Sequence, residues 1–91
     1  MKNIRAKVRF AGLVQGVGFR FFVRRKAENL GVAGYVKNMP DGAVEAVFEG
    51  PEEAVQKLTE ICKEGPRGAS VRGADIERED FRGEFRGFGI E

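Results

Sequence analysis

Ninety-one residues, 42% of them hydrophobic, can build one core between two layers but not two domains, so residues 1–91 are read as a single unit. Charged residues make up 33% of the chain, yet the net charge is only +2, which gives no overall bias toward nucleic acid and leaves only local basic patches open. Histidine is absent and cysteine occurs once, at Cys62, which removes His-dependent triads, phosphohistidine intermediates, most catalytic zinc sites and any internal disulfide.

The lone thiol suits a reducing cytoplasm. No apolar run approaches the ~20 residues of a membrane span, and no signal-peptide core is present near the start, so no membrane partner is expected. Amides are sparse beside the many Lys, Arg and Glu residues, which points toward a heat-loving source.

Residues 4–14 alternate: Ile4, Ala6, Val8, Phe10, Gly12 and Val14 share one side, and Arg5, Lys7 and Arg9 the other. Period two with one charged face predicts a half-buried strand. From Phe19 the period changes. Phe19, Phe22, Val23, Ala27 and Leu30 define an amphipathic helix that Gly31 is placed to end, with Arg24, Arg25 and Lys26 as its solvated side. Residues 32–38 and 43–49 read as two strands around the turn Met39-Pro40-Asp41-Gly42, with Val36 and Asn38 on one face. Glu45 and Glu49 read as an exposed strand face. A second helix starts with Pro51 at its first position and carries Val55, Leu58, Ile61 and Cys62 inward, up to Gly65-Pro66. Residues 69–79 read as a strand whose parity breaks, and a bulge at Gly73 would repair it. The end is ambiguous. Phe88 and Ile90 keep the period of a short fifth strand, while Gly83, Gly87 and Gly89 weaken it.

The order β-α-β-β-α-β predicts a ferredoxin-like split βαβ sandwich of the α+β class, two helices on one face of an antiparallel or mixed sheet. That fold hosts enzymes, RNA binders and regulatory modules, so it does not decide function.

The joint between the first strand and helix carries the chemistry. Gly16 and Gly18 allow main-chain N–H groups to converge, and the following helix N-terminus adds unpaired donors and partial positive charge. Arg20, in the first turn, leans back over that loop. The stretch lacks the Lys-Ser/Thr of a Walker loop and the third glycine of a dinucleotide fingerprint. By residues alone it is an anion cradle or a plain strand-to-helix turn, and Asn38 is a polar strand end. Cys62 sits in the apolar stripe of a helix and reads as an inert core thiol.

Gln15-Gly16-Val17-Gly18-Phe19-Arg20 after a strand, then Gly34-Tyr35-Val36-Lys37-Asn38, then Asp41-Gly42 and Val44-Glu45, closely resembles the acylphosphatase family over about residues 5–90. Leu13, where a polar or basic residue is frequent, and the glycine-rich end depart from the family pattern. The resemblance implies the same ferredoxin-like fold and metal-independent hydrolysis of small acyl phosphates to a carboxylate and inorganic phosphate, with no cofactor. It makes Arg20 the phosphate-binding arginine and Asn38 the water-positioning asparagine. Main-chain amides of Gln15, Gly16, Val17, Gly18 and Phe19 would surround the phosphate. A monomer is expected. The competing readings are a non-catalytic module that binds acyl or carbamoyl phosphate and, more distantly, a nucleic-acid binder using Arg5, Lys7, Arg9, Tyr35 and Lys37 on the open sheet face.

Overall fold

A computed structural model describes residues 2–91. Strand β1 (Asn3–Leu13) follows its alternation: Ile4, Ala6, Val8 and Phe10 are buried against the helices, and Arg5, Lys7 and Arg9 turn to the other face. It leads through a glycine loop into α1 (Phe19–Leu30), then β2 (Ala33–Asn38), β3 (Val44–Pro51), α2 (Glu52–Glu64), β4 (Ser70–Glu79) and β5 (Phe88–Ile90). The sheet order is β4-β1-β3-β2-β5. β1 runs antiparallel to β3 and β4, β2 antiparallel to β3, and β5 parallel to β2. This is the predicted split βαβ sandwich, with the short fifth strand present at its edge.

Both helices lie where their stripes dictate. α1 buries Phe19, Val23 and Ala27, and Gly31 closes it in a left-handed turn. α2 buries Val55, Leu58 and Cys62 as expected, but Thr59 rather than Ile61 completes the stripe, its hydroxyl donating to the Val55 carbonyl at 2.9 Å. Pro51 is not the first helical residue. It caps the helix from the end of β3, because the β1–β3 ladder continues as far as Asn3 opposite Pro51.

The bulge in β4 falls one residue earlier than predicted. Ala11 pairs with Gly73 and Gly12 with Val71, leaving Arg72 unpaired. The glycine this bulge depends on is on the facing strand. Gly12 has φ +121, and a Cβ there would stand 2.2 Å from the Ser70 carbonyl oxygen. The shift lets Val71 and Ala74 both pack against the core.

The open face of the sheet departs most from expectation. Arg5 and Glu49 were expected to face solvent, yet they are 8% and 2% exposed. The cause is the segment between β4 and β5, which folds back over this face. Phe85 packs edge-on against Tyr35 at 5.9 Å and lies under the Arg5 guanidinium at 5.2 Å. Arg5 donates to Glu84 at 2.6 Å, to Glu79 at 3.1 Å and to Glu49 at 3.4 Å. Glu49 Oε2 also accepts the main-chain N–H groups of Arg82, at 2.8 Å, and Gly83, at 3.3 Å. A carboxylate so enclosed is stable only while its partners remain.

Glu49→Gln therefore should lower stability by about 3 kcal/mol, the scale for breaking a buried ion pair. Amide hydrogen exchange at Arg82 and Gly83 should accelerate alongside. Unchanged protection at those two amides would mean that Glu49 does not hold the segment down.

Candidate active site

The loop between β1 and α1 is pinned at both ends. Val14 before it and Phe19 after it are each 1% exposed, and Phe19 packs edge-on against the fully buried Phe10 at 5.2 Å. Between them, Gly16 at φ 75 and Gly18 at φ 76 take left-handed conformations. A Cβ at either glycine would meet nothing within 4 Å. Glycine is needed there for its backbone geometry and not for space, since an L side chain in that region costs roughly 1–2 kcal/mol.

This geometry leaves donors free. Among the described residues, the main-chain N–H groups from Gly16 to Phe21 have no main-chain partner, and the first helical bond runs from the Phe22 N–H to the Gly18 carbonyl at 3.1 Å. The N-terminal partial charge of α1 is directed at the same point, with no acidic residue in its first turn to offset it. Val14, Gly16, Gly18, Phe19, Arg20, Phe21 and Asn38 line one cavity of ≈ 190 Å³. Arg20 is half-buried, and its Nη1 donates to the main-chain oxygen of Glu91 at 3.1 Å. Asn38, at the end of β2, is exposed at the rim. Preorganised amides, a fork-shaped cation and a carboxamide around one cavity can hold a phosphoryl group and orient a water beside it.

Five of the residues singled out in the sequence thus meet: Gly16, Gly18, Phe19, Arg20 and Asn38. Val17 is half-buried against the core and offers only its N–H. Gln15 is different. Its side-chain Nε2 turns to the β2–β3 turn and donates to the carbonyls of Met39, at 2.8 Å, and Ala43, at 2.9 Å. The Glu91 oxygen went unforeseen, because a main-chain acceptor leaves no trace in residue type.

Other reactive groups stand apart. Cys62 is fully buried, and burial pushes its thiol up to about 12, so it offers no thiolate. On the open face, burial and a 3.0 Å hydrogen bond to Glu45 raise the Tyr35 hydroxyl to about 12. Burial would raise the Glu45 carboxyl, but the Tyr35 hydroxyl, Lys7 and Lys37 outweigh it and hold the group below its usual range. Lys7 and Lys37 both pair with Glu45, Arg9 pairs with Asp41, and Phe85 covers Tyr35. The basic and aromatic residues of this face are therefore occupied, which counts against a base-stacking platform. A wider apolar groove between α2 and β4, walled by Ile4, Val55 and Ile76, shares no residue with the cradle. Among the described residues no three His, Cys, Asp or Glu side chains gather into a metal site, and no helix is long and apolar enough to cross a membrane.

A βαββαβ sandwich with a glycine-shaped donor loop and an arginine in the first helical turn is a small α+β domain whose donors could receive an anion. Comparison with known proteins narrows it. The acylphosphatase family profile matches residues 6–90. The chain is 51% identical over 86 residues to an acylphosphatase of Rubrobacter xylanophilus, covering 94% of this chain and 78% of that one. It is 48% identical over 90 residues to one from Pelotomaculum thermopropionicum, covering 99% and 98%. The crystal structure of acylphosphatase from Bacillus subtilis superposes with a TM-score of 0.94 at 36% identity, covering 97% of this chain and 98% of that one. The chain belongs to the acylphosphatase family.

Gly18→Ala should keep the fold, since the site has room for the methyl group, but lower stability by about 1 kcal/mol through the strained φ. Binding of inorganic phosphate, followed by calorimetry, should weaken as the loop relaxes. Unaltered stability and affinity would show that the left-handed turn is not what shapes the cradle.

Proposed function

We propose that this chain hydrolyses the carboxyl–phosphate bond of small acyl phosphates, giving a carboxylate and inorganic phosphate. The observation that carries the proposal is that Gly16, Gly18, Phe19, Arg20, Phe21 and Asn38 line one cavity, where the main-chain N–H groups from Gly16 to Phe21 have no main-chain partner among the described residues. Phosphoryl transfer spreads charge over the non-bridging oxygens, so positioning and electrostatic stabilisation can supply most of the catalysis. The loop amides hold those oxygens, and the Arg20 guanidinium grips two of them in bidentate fashion. Asn38 orients a water in line with the bond to the departing carboxylate. The water oxygen bonds to phosphorus as the phosphorus–carboxylate oxygen bond breaks. The proton released passes to a phosphoryl oxygen, because the Asn38 amide cannot accept one. A carboxylate leaves readily without a strong general acid, which fits a site with no histidine. The donor set is cationic and amide in character and needs no divalent ion, so turnover is metal-independent. Residues 1–91 act as one unit, a cytoplasmic monomer; the single buried thiol supports the reducing compartment.

The non-catalytic reading predicts the same phosphate affinity without turnover. Release of phosphate from benzoyl phosphate in the presence of a chelator distinguishes the two. Arg20→Lys keeps the charge but loses the planar fork, so kcat/KM should fall ~10²–10³-fold with the circular dichroism spectrum unchanged. A well-folded variant with normal turnover would refute the role given to Arg20. Asn38→Ala should lower kcat ~10²–10³-fold while inhibition by inorganic phosphate stays as it was. Weakened phosphate inhibition with kcat intact would assign Asn38 to binding and not to the water.

A further inference from the structure

The two halves of the site come from separate parts of the chain. The loop that holds the phosphate follows β1, while Asn38 ends β2 and is followed by a turn to β3. Catalysis requires the water and the phosphorus to stand in a fixed relation, so something must fix one half to the other. We propose that Gln15 is the positioning residue that does so. The proposal rests on the water-orienting role given to Asn38 above.

Both hydrogen bonds of the Gln15 amide nitrogen cross to the turn, at 2.8 Å to the Met39 carbonyl and 2.9 Å to that of Ala43. A primary amide has two N–H donors, and both are committed. The turn they reach is already a closed unit. The Met39 N–H donates to the Ala43 carbonyl at 2.8 Å, the Gly42 N–H to the Met39 carbonyl at 3.1 Å, and the Ala43 N–H to Asp41 Oδ1 at 3.0 Å. Two bonds from Gln15 therefore fasten a pre-tied turn, as one body, to the phosphate loop. Met39, the nearer attachment point, directly follows Asn38. Asn38 is also held by its pairing with Val44, the last pair of the β2–β3 ladder, and the turn beyond it by the ion pair between Arg9 and Asp41. Of these restraints, the Gln15 bonds alone start from the phosphate loop itself. The side chain of Gln15 does not line the cavity, so it acts through Asn38 and not on the substrate.

Two substitutions test this. Gln15→Met keeps the length but has no donor. Gln15→Glu keeps size and polarity, and can donate only when its carboxyl is protonated. With benzoyl phosphate, Gln15→Met should lower kcat on the order of 10- to 100-fold, the scale of a small misplacement of a reacting group, with phosphate inhibition unchanged. Gln15→Glu should show the same loss at neutral pH and regain activity on acidification, as protonation restores one donor toward the two carbonyls. Added to Asn38→Ala, Gln15→Met should bring little further loss, because the group it positions is gone.

Three results would overturn the proposal. Weakened phosphate inhibition with kcat preserved would place Gln15 in the loop's own structure. Losses that multiply in the double variant would mean that it acts independently of Asn38. Recovery on acidification that is absent from Gln15→Glu would remove the donor role. Normal turnover by Asn38→Ala alone is a different failure: it overturns the underlying reading of Asn38, and the brace with it.

Discussion

The contact between Phe10 and Phe19 joins the buried end of β1 to the first residue of α1, 5.2 Å apart beneath the loop. Everything at the site depends on it. A loop with two left-handed glycines would otherwise be among the most mobile parts of a small domain, since glycine has the most conformational freedom to lose. Burying two phenylalanines and Val14 contributes several times the roughly 1.5–3 kcal/mol of one large apolar side chain, which is enough to hold both ends of the loop still. Its amides are then denied the collapse that would pair them with one another. They remain without main-chain partners among the described residues, and so free to meet an anion.

A second layer of control comes from the face of the sheet without helices. There the Arg5 guanidinium and the Glu49 carboxylate anchor the segment after β4, which continues to Gly87, whose carbonyl accepts the Gly34 N–H at 2.9 Å, and into β5. Beyond β5, the Glu91 oxygen meets Arg20. A continuous run of contacts thus connects a buried ion cluster on one face to the arginine at the other end of the sheet. The charges of Arg5 and Glu49 are costly to desolvate, and hydrophobic residues could cover this face at lower cost. What the ion cluster adds is a defined course for the crossing segment, because a carboxylate that accepts two particular amides admits one path for the chain.

Much of this was legible in the residues. The two-residue alternation of Ile4 to Phe10 and the 3.6-residue stripe of Phe19, Val23 and Ala27 gave the first strand and helix, since each period records which side meets the core. Gly31 and Gly65 marked helix ends through a conformation other residues avoid. The cradle was half legible. Gly16, Gly18 and Arg20 announced donors, but only the resemblance to a known family separated them from an ordinary turn. What could not be read was tertiary. Alternation places Arg5 and Glu49 opposite the core, and no local signal says that a distant segment will cover them. The bulge was misplaced by one residue because its conformational demand falls on Gly12, in the partner strand. The role of the Gln15 side chain was hidden because its acceptors are carbonyls, which every residue carries.

The bond between Arg20 and the Glu91 oxygen spans 71 positions. A helix N-terminus can form its amide cradle locally, early and without help from the rest of the chain. The arginine reaches its resting orientation only when the chain end beyond β5 lies beside it, and β5 is held there by its parallel pairing with β2. Topologies dominated by such distant pairings fold slowly, since loop closure is opposed by entropy before contacts reward it. Completion of this site is therefore tied to a contact of long sequence separation. Activity can serve as a stringent reporter of completed folding, because a collapsed chain with both helices formed would still lack the arginine's final restraint.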